Sequence, residues 1–271
     1  NKAVYVLFGQ SPANWNTDKT TAATGSTPDI INIDTRVAAG GTEAVRFTST
    51  GIFIGMYTMA VADMNNDGIK DLILNSAFSH YVYYGKVGGW SNVDLAVASN
   101  YNGVNGMIFY LGGSCPIWWT AANSKAIAKD INGDGKTDIV FTYDQADPDS
   151  TNNSGTSFVA LQPSAGWSSL WSPTLGASGV AGTLNLCGDI FDATGTALPL
   201  NNDVSKGFRI DGAAAFYYSS LLGIADINND GKNDLIIGSP YNSGFTKSSV
   251  YILFGKTLVP WDTKTNLQTL N

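Results

Sequence analysis

The sequence Asp226-Ile-Asn-Asn-Asp-Gly-Lys-Asn-Asp234, followed at once by Leu235-Ile-Ile, sets the pattern on which the fold depends. Two further copies occur upstream, Asp63-Met-Asn-Asn-Asp-Gly-Ile-Lys-Asp71 and Asp130-Ile-Asn-Gly-Asp-Gly-Lys-Thr-Asp138. Oxygen-bearing side chains stand at positions 1, 3, 5 and 9 of each copy, and a glycine that can take positive φ stands at position 6. This spacing is typical of loops that wrap a hard cation with six to eight oxygen ligands. The three copies therefore predict three Ca²⁺ loops.

Each loop is expected to bind its ion through the side chains at positions 1, 3, 5 and 9 and through the backbone carbonyl at position 7. The expected ligands are Asp63, Asn65, Asp67, Ile69 and Asp71 in the first loop, Asp130, Asn132, Asp134, Lys136 and Asp138 in the second, and Asp226, Asn228, Asp230, Lys232 and Asp234 in the third. Carboxylates that hold calcium are poor general acids, because the ion favours their charged form.

The residues around the loops separate them from EF-hands, which need a bidentate glutamate at position 12 and a helix on either side. Leu74, Phe141 and Ile237 occupy position 12 here. They lie in short β-branched and apolar runs bounded by turn residues, which are typical of buried strands. Another apolar stretch of strand character precedes each loop, as in Met59–Ala62. We therefore predict that each loop joins two strands.

The composition favours a folded all-β protein with many turns. Of 271 residues, 44% are hydrophobic and only 14% are charged, while Gly, Ser, Thr and Asn are abundant. The net charge is -7, and nine of the 22 acidic residues are loop aspartates, so three bound Ca²⁺ ions would bring the charge to about -1. The chain has no basic stripe and no apolar run of about 20 residues. We therefore expect no nucleic-acid partner and no membrane insertion.

Other landmarks come into register when the three loops are superimposed, which indicates an internal repeat. A strand closing on an aromatic-Gly pair follows in the first and third units, at Tyr84-Gly85 and Phe254-Gly255, whereas the second unit has Phe158–Pro163 there. Four strands per unit are typical of a propeller blade. The units are expected at roughly 10–85, 86–163 and 164–255 of one propeller-like region, with 1–9 and 256–271 as parts of adjoining blades.

The succession of strand, loop, Leu235-Ile-Ile-Gly-Ser-Pro240 and Val250-Tyr-Ile-Leu-Phe-Gly255 resembles the FG-GAP repeat of the integrin alpha-chain β-propeller and of related surface and secreted proteins. The resemblance covers nearly the whole chain. It implies four-stranded blades whose calcium ions hold the connecting loops in a structural role. The tryptophan that recurs in each unit, at Trp90, Trp167 and Trp261, is expected from the repeat pattern to pack between blades. Because the family propeller usually has seven blades, about three blades with partial flanking strands imply an incomplete ring or part of a larger assembly.

The first strand indicates how copies could associate. Ala3–Gly9 is a near copy of Ser249–Gly255, so the chain is expected to begin with the last strand of a blade whose other strands are missing. An unpaired apolar strand invites pairing with another chain, and head-to-tail exchange that does not close produces a fibre. The expected partners are therefore another protein or further copies of this chain, and a surface filament is one hypothesis.

Residues suited to catalysis are few. His80 is the only histidine and lies between strands, where a surface or turn histidine is expected. Glu43 is the only glutamate, and most clustered aspartates are assigned to the loops. Two cysteines and one histidine do not supply a zinc motif. The sequence therefore predicts that the chain is not an enzyme.

Calcium loops of weak affinity work where calcium is millimolar, so the protein is expected to be extracellular or at a cell surface. Asn152-Asn-Ser154 is an N-glycosylation acceptor, which favours a glycoprotein. Cys115 and Cys187 could form one disulfide or remain two buried thiols. Of the adjacent Trp118 and Trp119, one is expected to face outward, where its ring could stack on a sugar or a partner protein.

Three functional hypotheses follow. We favour a calcium-stabilised extracellular module with a structural or adhesive role. The alternatives are a carbohydrate-binding propeller of lectin type and a fragment of an integrin-like ligand-binding head.

Overall fold

The computed structural model describes residues 3–9, 19–20, 30–31, 37, 44–48, 58–76, 79–110, 124–144, 146, 154–170, 183–185, 207–212, 220–239, 248–256 and 264–266. Its strands, numbered in chain order, are β1 (Ala3–Leu7), β2 (Lys19–Thr20), β3 (Ile30–Ile31), β4 (Ala44–Thr48), β5 (Thr58–Ala62), β6 (Asp71–Asn75), β7 (Ser79–Tyr83), β8 (Val93–Asp94), β9 (Gly106–Tyr110), β10 (Lys125–Lys129), β11 (Asp138–Tyr143), β12 (Thr156–Ala160), β13 (Thr183–Asn185), β14 (Gly207–Asp211), β15 (Ser220–Ala225), β16 (Asp234–Ser239), β17 (Ser249–Leu253) and β18 (Lys264–Asn266). Short 3-10 helices lie at Ala98–Asn100 and Trp167–Leu170. In the described part of the chain, no helix is long and apolar enough to cross a membrane. The predicted all-β class is confirmed.

One compact unit comprises residues 1–54 and 85–97. Its main sheet has the order β1-β4-β8, and β2 pairs with β3. The expectation that the first strand is unpaired is wrong, because β1 runs antiparallel to β4. Val4 lies opposite Phe47 in this register, and both are buried. The Trp90 ring meets Phe47 edge-on, with the ring centroids 5.6 Å apart, so apolar packing holds the pair of strands together.

The other compact unit comprises residues 55–84 and 98–271 and contains the three loops. Each loop joins two antiparallel neighbours, as predicted: β5 to β6, β10 to β11 and β15 to β16. We name the resulting sheets by their loops. The first-loop sheet has the order β5-β6-β7-β9-β13, the second-loop sheet β10-β11-β12-β14-β18, and the third-loop sheet β15-β16-β17.

The first-loop and second-loop sheets each consist of four antiparallel strands with one short parallel strand at the edge. The third-loop sheet repeats the first three of these strands. Such four-stranded sheets, repeated along a chain, are propeller-type blades. The described strands thus make up part of a propeller, as predicted.

Packing between neighbouring sheets explains why the strands that follow the loops are apolar on both faces. One buried cluster joins the first-loop and second-loop sheets and includes Ile73, Val82, Phe109, Ile139, Phe141 and Phe158. A second cluster joins the opposite face of the second-loop sheet to the third-loop sheet and includes Val140, Val159, Leu161, Phe208, Leu235, Ile237 and Leu253. Trp167 is buried in the first cluster, edge-on to Phe109 with centroids 5.0 Å apart, which confirms its expected place between blades.

Candidate metal-binding loops

All three loops close with the same hydrogen bonds to the carboxylate at position 1. The N–H of the position 6 glycine donates to one oxygen at 2.8 Å in every loop: Gly68 to Asp63, Gly135 to Asp130 and Gly231 to Asp226. The N–H of position 5 donates to the other oxygen, with distances of 3.1, 3.2 and 3.1 Å. Because three loops of different sequence adopt one geometry, the shared residues determine this conformation.

The side chains at positions 3 and 5 also turn toward the backbone of the loop. The asparagine oxygen at position 3 accepts the N–H of position 5 at 3.2, 3.1 and 3.1 Å. The carboxylate at position 5 accepts the N–H of position 7 at 2.7, 2.9 and 2.9 Å. The glycines at position 6 have φ angles of 86, 82 and 84°, so the positive φ predicted for this position is confirmed.

The carboxylates at position 9 lie beneath the loops. Asp71, Asp138 and Asp234 are fully buried, and each accepts the N–H of position 2 at 2.6 to 2.8 Å. Asp138 also accepts the N–H of Gln162, and Asp234 that of Gly255, both at 2.8 Å. Position 9 therefore fastens the loop to the chain that follows the third strand of the same sheet.

The two position 9 carboxyls of the second and third loops titrate differently. Burial raises the pKa of Asp138 to about 7, although N–H donors act against it. Burial also acts to raise the pKa of Asp234, but N–H donors led by Gly255 and Ile227 outweigh it and the pKa is lowered. The second-loop sheet lies between two packed sheets, whereas β17 of the third-loop sheet exposes apolar side chains. Burial therefore raises the pKa of Asp138 more than that of Asp234.

Comparison with known families agrees with this geometry. The family model of the FG-GAP repeat matches residues 123–159 and 218–253, which contain the second and third loops with their flanking strands. The chain contains FG-GAP repeats. A comparison with curated proteins returned no match. FG-GAP repeats indicate an integrin-like β-propeller module; they generally occur in extracellular or surface proteins, are typically non-enzymatic and often bind Ca²⁺.

The donor chemistry of the three loops suits a hard cation. Positions 1, 3 and 5 offer oxygen acceptors, and a carboxylate with about four acceptor sites keeps lone pairs after accepting two N–H bonds. Among the described residues, no group of three or more acidic, histidine or cysteine side chains is arranged to hold a metal. The placement of position 9 accounts for this, because its carboxylate faces backbone N–H groups beneath the loop. Ligation by position 9 and by the carbonyls of Ile69, Lys136 and Lys232 stays a prediction.

Lysines at position 7 alter the charge around two of the loops. Lys136 Nζ lies 3.2 Å from Asp134 Oδ2, and Lys232 Nζ lies 3.9 Å from Asp230 Oδ2. The first loop has Ile69 at this position. Partly exposed pairs of this kind contribute about 0 to 1 kcal/mol, so they leave the carboxylates open to a divalent ion.

The expectation that His80 is a surface or turn residue is wrong. It lies within β7 and is fully buried, because it sits between the packed first-loop and second-loop sheets. Its Nδ1 lies 2.9 Å from Asn75 Oδ1, and its Nε2 lies 2.7 Å from the Tyr143 hydroxyl oxygen. Burial lowers the pKa of His80 to about 3, so the ring is neutral at physiological pH. These polar contacts join the first-loop sheet to the second-loop sheet.

Several predicted residues lie outside the described ones: Asn152, Cys115, Cys187, Trp118, Trp119 and Trp261. Glycosylation, the disulfide and ring stacking therefore stay predictions. The sequence analysis missed Gln162 and Asn233, whose side chains reach the loops of neighbouring sheets. The signal for Gln162 was the absence of the aromatic-Gly pair in the second unit.

Proposed function

We propose that the chain is a calcium-stabilised extracellular module with a structural and adhesive role. The observation that carries the calcium part is the common geometry of the three loops, each of which gathers two carboxylates and an amide oxygen between the first two strands of a blade. These carboxylates repel one another, so a divalent cation bound there favours the folded loop. In the second loop, Asp130, Asn132 and Asp134 would hold the ion.

The location follows from the affinity expected of such loops. Extracellular modules bind calcium with dissociation constants of about 10⁻⁴ to 10⁻³ M, and only extracellular calcium is high enough to fill them. A structural ion of this affinity makes the blades stable outside the cell and weaker wherever calcium is scarce.

The adhesive part of the proposal depends on β17. Along one face of this strand, Val250, Ile252 and Phe254 are 62%, 42% and 52% exposed. In the second-loop sheet, Val159 corresponds to Ile252 and Leu161 to Phe254, and both are buried against the third-loop sheet. We propose that a blade of a second copy of the chain covers the β17 row in the same manner, which would make the chain the subunit of a surface filament.

Calcium titration tests the first part of the proposal. Adding Ca²⁺ to protein prepared in chelator should raise Tm, because each ion binds the folded state alone. At several times the dissociation constant each ion contributes about 1 kcal/mol, or roughly 2 °C for a chain of this size. Isothermal titration calorimetry should give three ions per chain, and two for Asp134→Ala.

Asp94→Ala is the matched control, because Asp94 lies outside the loops and accepts the Ala96 N–H at 3.0 Å. This variant should still bind three ions. Identical melting curves with and without chelator would show that the loops do not use calcium and would overturn the proposal.

The lectin alternative has less support. Trp167 is buried, and its indole N–H donates to the Thr137 carbonyl at 3.0 Å, so its ring cannot stack on a sugar. Calcium-dependent binding of a glycan by the protein would support the lectin alternative, and calcium-dependent binding of a protein ligand would support the integrin-like one.

A further inference from the structure

Gln162 occupies a place where the first and third units have glycine. Its N–H donates to Asp138 Oδ1, just as the N–H of Gly255 donates to Asp234 Oδ1, both at 2.8 Å. A Cβ on Gly255 would lie 2.5 Å from the Asn233 carbonyl oxygen, so a side chain is excluded there. The second unit accepts a long polar side chain at a place where the third cannot.

The Gln162 side chain extends from the second-loop sheet to the first loop. Its Nε2 donates to the Met64 carbonyl at 2.8 Å, and its Oε1 accepts from Asn66 Nδ2 at 2.7 Å. Gln162 is 3% exposed, and its bond to the Met64 carbonyl is buried, whereas its bond to the exposed Asn66 is partly buried. Met64 and Asn66 hold positions 2 and 4 of the first loop. One residue therefore contacts the first loop through its side chain and the second loop through its backbone.

A second contact joins the second and third loops. Asn233, at position 8 of the third loop, donates from Nδ2 to the carbonyl of Asp130 at 2.6 Å. Asp130 holds position 1 of the second loop, whose carboxylate closes that loop. Lysine and threonine stand at position 8 in the other loops, so this contact is particular to the third.

We infer that Gln162 and Asn233 couple the three loops, so that calcium bound at one loop raises the affinity of its neighbour. The inference rests on the proposed calcium function. A loop ordered by its ion holds the polar partners of the next loop in place, and the second ion then loses less conformational entropy on binding. The coupling acts through direct hydrogen bonds between described residues and needs no change of fold.

The two asparagines at position 4 provide a matched pair of variants. Asn66 and Asn229 both have φ of 58°, and Gly133 occupies the same position of the second loop with φ of 77°. Glycine is therefore compatible with the backbone at both places. Both side chains are exposed, and that of Asn66 donates to Gln162 Oε1. Asn66→Gly therefore removes this bond, whereas Asn229→Gly makes the same change in the third loop.

Isothermal titration calorimetry with Ca²⁺ alone, on the full chain, tests the coupling. The native protein should bind three ions with a Hill coefficient above one, and Asp67→Ala, which disables the first loop, should weaken binding at the others by about fivefold or more. Asn66→Gly and Gln162→Ala should lower the Hill coefficient, while Asn229→Gly should leave it unchanged. Circular dichroism would verify that each variant is folded.

Two outcomes separate this inference from the proposed function. Three independent ions in the native protein, or equal effects of Asn66→Gly and Asn229→Gly, would overturn the coupling and leave the calcium function intact. The absence of any calcium uptake would overturn both.

Discussion

At the scale of single residues, His80 gives a pH dependence whose sign follows from its burial. Its pKa is lowered to about 3 in the folded protein and is about 6.5 in an unfolded chain. Below pH 6.5 the unfolded state binds a proton that the folded state does not, so His80 on its own lowers the free energy of unfolding by about 1.4 kcal/mol per pH unit down to about pH 4. Urea unfolding in chelator at pH 7.5, 6 and 5, compared with a variant that lacks the imidazole, measures this contribution.

The His80→Gln variant isolates the contribution of the imidazole. It should be less stable at pH 7.5, since the contacts to Asn75 and Tyr143 change, but should lose less stability on acidification. Asp138 acts with the opposite sign, because its raised pKa favours the folded state as pH falls from 7 toward 4, and it is present in both proteins. The pKa of Tyr143 is raised well above 10, so Tyr143 stays protonated throughout. Parallel pH profiles for both proteins would rule out His80 as the source.

Single residues also mark the limit of what the sequence could predict. The loop glycines and aspartates were predictable because their roles depend on neighbours within nine residues. His80 and Gln162 were not, since their partners Tyr143 and Met64 lie 63 and 98 residues away along the chain. Only the packing of one sheet on another brings these groups together.

At the scale of elements, β14 carries a buried ion pair that we expect to fix the fourth strand of the second-loop sheet, because its aspartate also accepts a bond from β12. Arg209 Nη2 donates to Asp211 Oδ2 at 2.9 Å, and the Thr156 hydroxyl of β12 donates to Asp211 Oδ1 at 2.9 Å. Removing one partner of a buried pair costs about 3 to 5 kcal/mol, because the other charge remains buried. Asp211→Asn should therefore lower the free energy of unfolding by that amount in urea titrations.

The exposed pair of Lys136 and Asp134 supplies the comparison for this prediction. Lys136→Met should change stability by less than about 1 kcal/mol in chelator, because water screens the charge. A similar small loss for Asp211→Asn would mean that β14 tolerates an unpaired guanidinium and that the ion pair does not fix the strand.

The elements themselves were largely predictable. Hydrophobic patterning and residue composition predict the strands on either side of each loop. They also predict the strand before each aromatic-Gly pair. The short parallel strands β13 and β18 were not foreseen, because β13 joins β9 and β18 joins β14 across long stretches of chain. Each of these strands pairs with the edge strand of a sheet that other parts of the chain form. The local sequence of β13 or β18 does not indicate which edge strand that will be.

At the scale of the whole molecule, the repeat itself indicates where another copy would bind. Ile73, Val140 and Ile236 occupy the same place after the three loops, and their strand partners are Val82, Val159 and Ile252. Val82 and Val159 are fully buried against the next sheet, whereas Ile252 is 42% exposed. Burying that row would contribute about 25 cal/mol of favourable free energy for each Å² of apolar surface removed from water. The energetic reason for the proposed association is therefore the same as the reason for blade packing within the chain.

A charge placed in this row should prevent association without unfolding the chain. In millimolar calcium, the native protein should show concentration-dependent assembly by sedimentation velocity and ordered fibres by electron microscopy, and Ile252→Asp should remain monomeric. Val104→Asp is the matched control, since Val104 is 78% exposed in the turn before β9, and β9 belongs to the first-loop sheet whereas β17 belongs to the third-loop sheet. It should assemble like the native protein. Monomeric native protein at all concentrations, or undiminished assembly of Ile252→Asp, would exclude the β17 row as the interface, because a buried aspartate there would cost more than the association could gain.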